Sequence, residues 1–175
     1  MNMNEALEVL YNRRSIRRYK SEQISREEMD AVIRAGVCAA SGKNRQSAII
    51  IAVTNREMRD RLSKLNAAVM GSDKDPFYGA PVVLIVLADK SVPTYVYDGS
   101  LVLGNMMNAA FDLGIGSCWI HRAKQVFESE PGKQILKDLG IEGNYEGIGH
   151  LILGYPNGDY KDPAPRKENY IYRIK

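Results

Sequence analysis

The chain has 175 residues, 45% hydrophobic and 26% charged, the balance of a globular protein long enough to bury a sizeable core. Lys and Arg number 24 against 21 Asp and Glu, and a net charge of +3 is too weak for bulk nucleic-acid binding. No run of apolar residues long enough to cross a membrane occurs, and the polar start MNMNEALE is unlike a secretory signal. The expectation is one domain over residues 1–175, soluble and cytoplasmic, with Cys38 and Cys118 as reduced, buried thiols.

Met3, Ala6, Leu7 and Leu10 fall at helical spacing and predict a helix from residue 3 to about 13. It runs into NRRSIRRYK, Asn12 to Lys20, where four arginines occupy six positions. Ser25 and Glu28 form a capping box ahead of a helix whose apolar face is Met29, Val32, Ile33, Val37 and Ala40. The polar loop SGKNRQS ends it. SAIIIAVT, Ser47 to Thr54, reads as a short buried strand, and Asn55 caps a charged surface helix, NREMRDRLSKLN. After the loop MGSDKDPFYGAP comes VVLIVLAD, Val82 to Asp89, whose lack of polar alternation predicts a central strand covered on both faces.

A helix from Asp98 to about Leu113 is apolar nearly all round, as a core or interface helix is, although Gly99 and Gly104 lower its propensity. IGSCWI reads as a strand ending at His121, and Ser129 with Pro131 marks a helix start in the charged stretch that follows. YEGIGHLILGYP is a further strand, stopped by Gly154 and Pro156. The tail alternates, with Tyr170, Tyr172 and Ile174 on one side and Ile171 and Arg173 on the other. A strand there has no neighbour in sequence and needs a sheet edge, which a second subunit could supply.

Several chemistries are missing from this pattern. Two histidines, His121 and His150, and two scattered cysteines make no metal site, and each histidine reads as structural before catalytic. There is no nucleophile elbow, no P-loop and no G-x-G-x-x-G turn, so an enzyme built on this chain would rely on a bound cofactor. The arginine cluster calls for an anion, unless it is a solvated, ion-paired helix end. Nucleic-acid readers interleave stacking aromatics with spread basic residues, and Glu5 and Glu8 make the first helix a poor membrane ligand. One phosphate, or a small phosphorylated cofactor, fits guanidiniums and a hydroxyl at a helix end better.

NRRSIRRY, followed by the capped helix and AASGKNRQS, resembles the opening of the nitroreductase family of flavin enzymes. DPFYGAPVVLIVLAD, DGSLVLGNMMNAAFDLGIGSCWI, LILGYP and PRKENY follow in that family's order, so the resemblance covers nearly the whole chain. It implies an α+β fold, a mainly antiparallel sheet flanked by helices, in an intertwined homodimer that exchanges its C-terminal strand. It implies FMN as cofactor, with Arg13, Arg14, Ser15 and Arg17 at the phosphate and ribityl end, Arg14 or Arg17 near the pyrimidine edge, and Arg18 outside the contact set. Ser41, Asn44 and Gln46 would reach the FMN of the partner subunit. Trp119, Ile120 and His121 would lie along the isoalloxazine, with a backbone N–H aimed at N5. Gly154 would permit close approach, and Arg166 with Lys167 would complete the phosphate site.

The implied activity is transfer of hydride from NADH or NADPH, through the flavin, to an electron-poor acceptor such as a nitroaromatic or quinone, in ping-pong order. It needs no catalytic side chain. The alternatives are other chemistry on the same fold, such as dehalogenation or flavin breakdown, and a non-enzymatic nucleotide- or RNA-binding module. The sequence departs from the family pattern at Gln46-Ser47-Ala48, where Gln-Pro-Trp is usual. It departs again at His121-Arg122, where relatives often carry Gly or an acidic residue.

Overall fold

The computed structural model describes residues 4–160, 162 and 164–175, so Met3 of the predicted first helix lies outside the described residues. Four strands form one antiparallel sheet: β1 (Ala48–Val53), β2 (Val82–Asp89), β3 (Gly116–Ile120) and β4 (Tyr145–Gly154), in the order β1-β2-β4-β3. Six helices accompany it: α1 (Glu5–Asn12), α2 (Arg26–Val37), α3 (Arg56–Met70), α4 (Tyr95–Asp112), α5 (Ala123–Glu128) and α6 (Glu130–Asp138). The α+β reading therefore holds, with every strand pairing antiparallel.

β2 shows why the sheet is covered twice. Successive side chains of a strand point to opposite faces. Val82, Leu84, Val86 and Ala88 pack with Val32 of α2 and Val102, Leu103 and Met106 of α4. Val83, Ile85 and Leu87 pack on the other face with Leu62 of α3, Val126 and Phe127 of α5 and Ile135 of α6. Val82 through Ala88 are all fully buried, as a central strand without polar alternation requires.

Caps set several boundaries. Asn4 accepts from the Leu7 amide, Asn55 from Met58, and Ser25 and Glu28 make the reciprocal capping box. Tyr155 also donates its hydroxyl to Glu28 at 2.7 Å, tying α2 to the end of β4.

Two expectations change. α4 begins at Tyr95 and not at Asp98, because the Thr94 carbonyl already accepts from the Asp98 amide. Cys118 is buried but Cys38, at the end of α2, is exposed. The helix start at Ser129 and Pro131 holds: the charged stretch after β3 makes α5 and then α6, separated at the extended residue Ser129, which caps α6. The described tail residues pair with no strand of their own chain, and Tyr170, Ile171, Tyr172 and Ile174 stand in solvent. Among the described residues no helix is long and apolar enough to cross a membrane.

Candidate functional site

The arginine segment is laid along an edge of the sheet. Arg13 ends α1 by donating its amide to the Val9 carbonyl, and Arg14 Nη1 donates to the carbonyls of Tyr11 at 2.9 Å and Arg13 at 2.6 Å. Ser15 then bridges Ser117 in parallel, and the Ile16 amide donates to the Ser117 carbonyl at 2.9 Å. Ile16 is buried against Gly116, where a Cβ would come within 2.9 Å of its Cγ2. Alternation leaves Ser15 and Arg17 exposed on the other side.

Arg13 is half-buried, and its Nη1 is buried with no hydrogen-bond partner among the described residues. Burial lowers its pKa, and the charges of Arg14 and Arg166 push the same way. Among the described residues no carboxylate pairs with Arg13, Arg14, Arg17, Arg18 or Arg166. A half-buried guanidinium facing other cations, with an unused N–H, fits an anion such as a phosphate. Lys167 Nζ lies over the Tyr170 ring at 5.4 Å from the centroid.

Arg17 lies 5.9 Å over the Tyr78 ring. Tyr78 is held at φ +52° in a loop organised by Asp75, which accepts from the amides of Phe77 and Gly79 and from Ser63 and Arg59. Burial alone would raise the Asp75 carboxyl; those bonds hold it below its ordinary range.

Toward the far end of β3, roughly 7 to 13 Å along the chain from Ser117 at about 3.3 Å per residue, Trp119 is half-buried, Ile120 buried and His121 exposed. The Trp119 indole rests on Gly149, where a Cβ would come within 2.5 Å of Nε1. The close approach at Gly154 is made by Pro81 and Tyr19 of this chain. Arg122 is left-handed at φ +75°, and its Nε donates to Asn66 Oδ1 at 2.9 Å. Asn66 Nδ2 donates to the His121 carbonyl at 2.8 Å. His150 is fully buried beside Phe77 and Phe127, and burial pushes its pKa down to about 4.

Ser41, Asn44 and Gln46 stand elsewhere. Their loop leads into β1, at the opposite edge of the sheet from β3 and about three strand spacings, or ~14 Å, away. One chain does not bring the two groups together. The loop is unusual in itself: Lys43, Asn44 and Gln46 all have positive φ, near 50°. Ser41 Oγ accepts from the Gln46 amide at 3.1 Å, and Gln46 Nε2 donates to Asn44 Oδ1 at 3.1 Å. Buried Asp98 holds both ends, accepting from the Gly42 amide at 3.0 Å and Ser47 Oγ at 2.8 Å, with Thr94 Oγ1 at 3.1 Å. Ser47, where Pro is usual in the family, thus has its own anchor.

Asp98 and Asn66 were not identified from the sequence. Asn66 carried a signal, since it lies one helical turn from Leu62 and so on the buried face of α3.

Residues 10–76 match the model of the nitroreductase family. A protein of Archaeoglobus fulgidus, provisionally named NADH dehydrogenase/NAD(P)H nitroreductase, is 36% identical over 166 residues, covering 91% of this chain and 90% of its own. A Bacillus subtilis protein named FMN reductase NAD(P)H is 30% identical over 181 residues, covering 94% of this chain and 70% of its own. The crystal structure of a Bacteroides fragilis nitroreductase with bound FMN superposes with a TM-score of 0.90 at 28% identity, over 99% of this chain and 100% of that one. With this fold, this order of motifs and a relative so similar end to end, the chain belongs to the nitroreductase family.

Proposed function

We propose that the chain is an FMN-dependent NAD(P)H oxidoreductase that delivers hydride to an electron-poor acceptor such as a nitroaromatic or quinone. The observation that carries this is the unpartnered, buried Nη1 of Arg13, set among cations in a chain whose structural relative holds FMN. Bound FMN would supply the redox chemistry, taking hydride at N5 from NADH or NADPH and giving it up to the acceptor.

The chain's own residues bind and orient. Arg13, Ser15 and Arg166 would hold the phosphate, with Arg14 and Lys167 adding positive field. Arg17, steadied on Tyr78, would face the pyrimidine edge, where a guanidinium favours negative charge at N1 and the C2 carbonyl. Trp119, Ile120 and His121 would border the ring with backbone, and no side chain need carry a proton. One pocket serving donor and acceptor in turn gives ping-pong kinetics.

The same reading takes the protein as a homodimer. Ser41, Asn44 and Gln46 would complete the FMN site of the partner subunit, which accounts for their place at the opposite sheet edge. Val96, Tyr97 and Leu101 of α4 are exposed, and a Cβ at Gly104 would point into open space among the described residues. Among the described residues the outer edge of β1 has no strand beside it, and two apolar clefts flank it. One, of about 340 Å³, is lined by Ile33, Val37 and Ile50; the other, of about 320 Å³, by Ile51, Met58 and Leu139. The exposed, alternating tail of a second chain has side chains for both.

The experiment is anaerobic titration of FMN-loaded protein with NADH and with NADPH, followed by a nitroaromatic or a quinone. Bleaching of the flavin absorbance by a nicotinamide and its return with acceptor is the expected result. Protein that fails to bind FMN at micromolar concentration would overturn the proposal.

A further inference from the structure

His150 is an odd residue for its place. Its ring is fully buried, its Nε2 has no partner among the described residues, and Phe77 and Phe127 lie 5.3 and 6.2 Å away between ring centroids. An apolar side chain would fill that space without stranding an N–H. The explanation lies on the other ring nitrogen. Arg122 Nε can only donate, so the Asn66 atom it meets at 2.9 Å is Oδ1. Asn66 Nδ2 therefore points the other way, with one hydrogen on the His121 carbonyl at 2.8 Å and the second facing His150 Nδ1 at 3.4 Å. With Nδ1 as the acceptor of that hydrogen, the proton of a neutral His150 ring would sit on Nε2.

The chain of contacts ends at a peptide plane. In a trans peptide the carbonyl and the following N–H point in opposite directions. Asn66 holds the His121 carbonyl toward the core, so the Arg122 N–H points outward. Among the described residues that N–H makes no backbone hydrogen bond. The left-handed conformation of Arg122, unusual for a residue with a side chain, is held by the same amide through Arg122 Nε.

We infer that Asn66 and His150 are a positioning pair. The Asn66 amide, oriented by His150, fixes the turn after β3 so that the Arg122 N–H faces the N5 edge of FMN. This rests on the FMN reading above. Neither residue touches the flavin; they act through the backbone of His121 and Arg122.

The test uses the full chain, first without flavin and then FMN-loaded. Nitrogen NMR of the histidine rings in the flavin-free protein at neutral pH should show His150 in the Nε2–H tautomer. A proton on Nδ1 would overturn the pair whether or not FMN binds. In the loaded protein, Asn66→Ala should leave FMN affinity and the KM for nicotinamide unchanged but lower kcat for flavin reduction by about tenfold or more, the scale of losing an aimed donor. His150→Phe, which keeps an aromatic ring among aromatic neighbours, should lower kcat in the same direction. Wild-type kcat in Asn66→Ala would overturn the inference, and if that variant does not fold, wild-type kcat in His150→Phe would do so. Failure of the wild-type chain to bind FMN would instead defeat the FMN reading, with the tautomer still deciding the pair.

Discussion

Arg13 and Arg59 are both withdrawn from water, and the protein treats them differently. Arg59 is buried and paired with Asp60 and Asp75, with its Nε on the Ala80 carbonyl. Its role is to lock a loop. Arg13 has a buried N–H and no carboxylate, which suits an anion that arrives from outside. Arg13→Ala and Arg17→Ala are each expected to weaken FMN binding by about 1.5–3 kcal/mol, the size of a hydrogen bond to a charged group. Arg18→Ala should cost much less, since Arg18 falls outside the contact set that the resemblance implies. Quenching of Trp119, the single tryptophan, by added FMN would measure all three. His150 carries a separate prediction. Burial, helped by the Arg122 charge and opposed by the Ile120 and His121 carbonyls, lowers its folded pKa from 6.5 to about 4. The unfolded chain therefore binds the proton first, and stability falls as pH drops from 6.5 through 4. The loss should reach about 3 kcal/mol. Urea midpoints should fall across that window in wild type and stay flatter in His150→Phe. The carboxylates held below their ordinary values, such as Asp75 and Asp98, add their losses at lower pH.

The loop from Ser41 to Ser47 shows how an element is held when its backbone is unfavourable. Three residues with positive φ carry strain that must be offset by their surroundings. Asp98 supplies this from the first turn of α4, with its carboxylate shared among Gly42, Ser47 and Thr94. Ser47→Ala removes one of those bonds and should cost about 1–2 kcal/mol in urea unfolding. Asp98→Ala removes the shared acceptor and leaves buried donors, so it should cost more, about 3 kcal/mol or above. If the loop serves the partner's flavin, Asp98→Ala should also lower FMN retention, although Asp98 stands at the opposite sheet edge from Arg13. Unchanged retention in a folded variant would count against that role.

For the whole molecule, the open β1 edge, the exposed face of α4 and the solvated tail are three apolar surfaces of one chain. A homodimer that covers them should bury upward of roughly 2,000 Å² in total, as obligate dimers do. Removing residues from Asn169 onward should loosen the dimer and lower flavin retention together. Light scattering and flavin absorbance on the truncated protein decide this, and a fully active, FMN-saturated monomer would refute a shared site.

What the sequence determined by itself was local or periodic. The capping box at Ser25 and Glu28 was legible because its residues are neighbours, and β2 because burial on both faces removes polar alternation. The arginine segment was legible because charge that dense has few uses. Tertiary structure decided what depended on distant partners. Asn66, on a helix that reads as charged surface, is buried because Arg122 and His121 from the turn after β3 and His150 from β4 converge on it. Asp98 anchors a loop more than fifty residues before it. The division of the candidate site between the β1 and β3 edges follows from the strand order β1-β2-β4-β3, which places the first and third strands in sequence at opposite ends of the sheet. Hydrogen bonds and strand order of this kind are set by chain closure over long separations, and no local spacing encodes them.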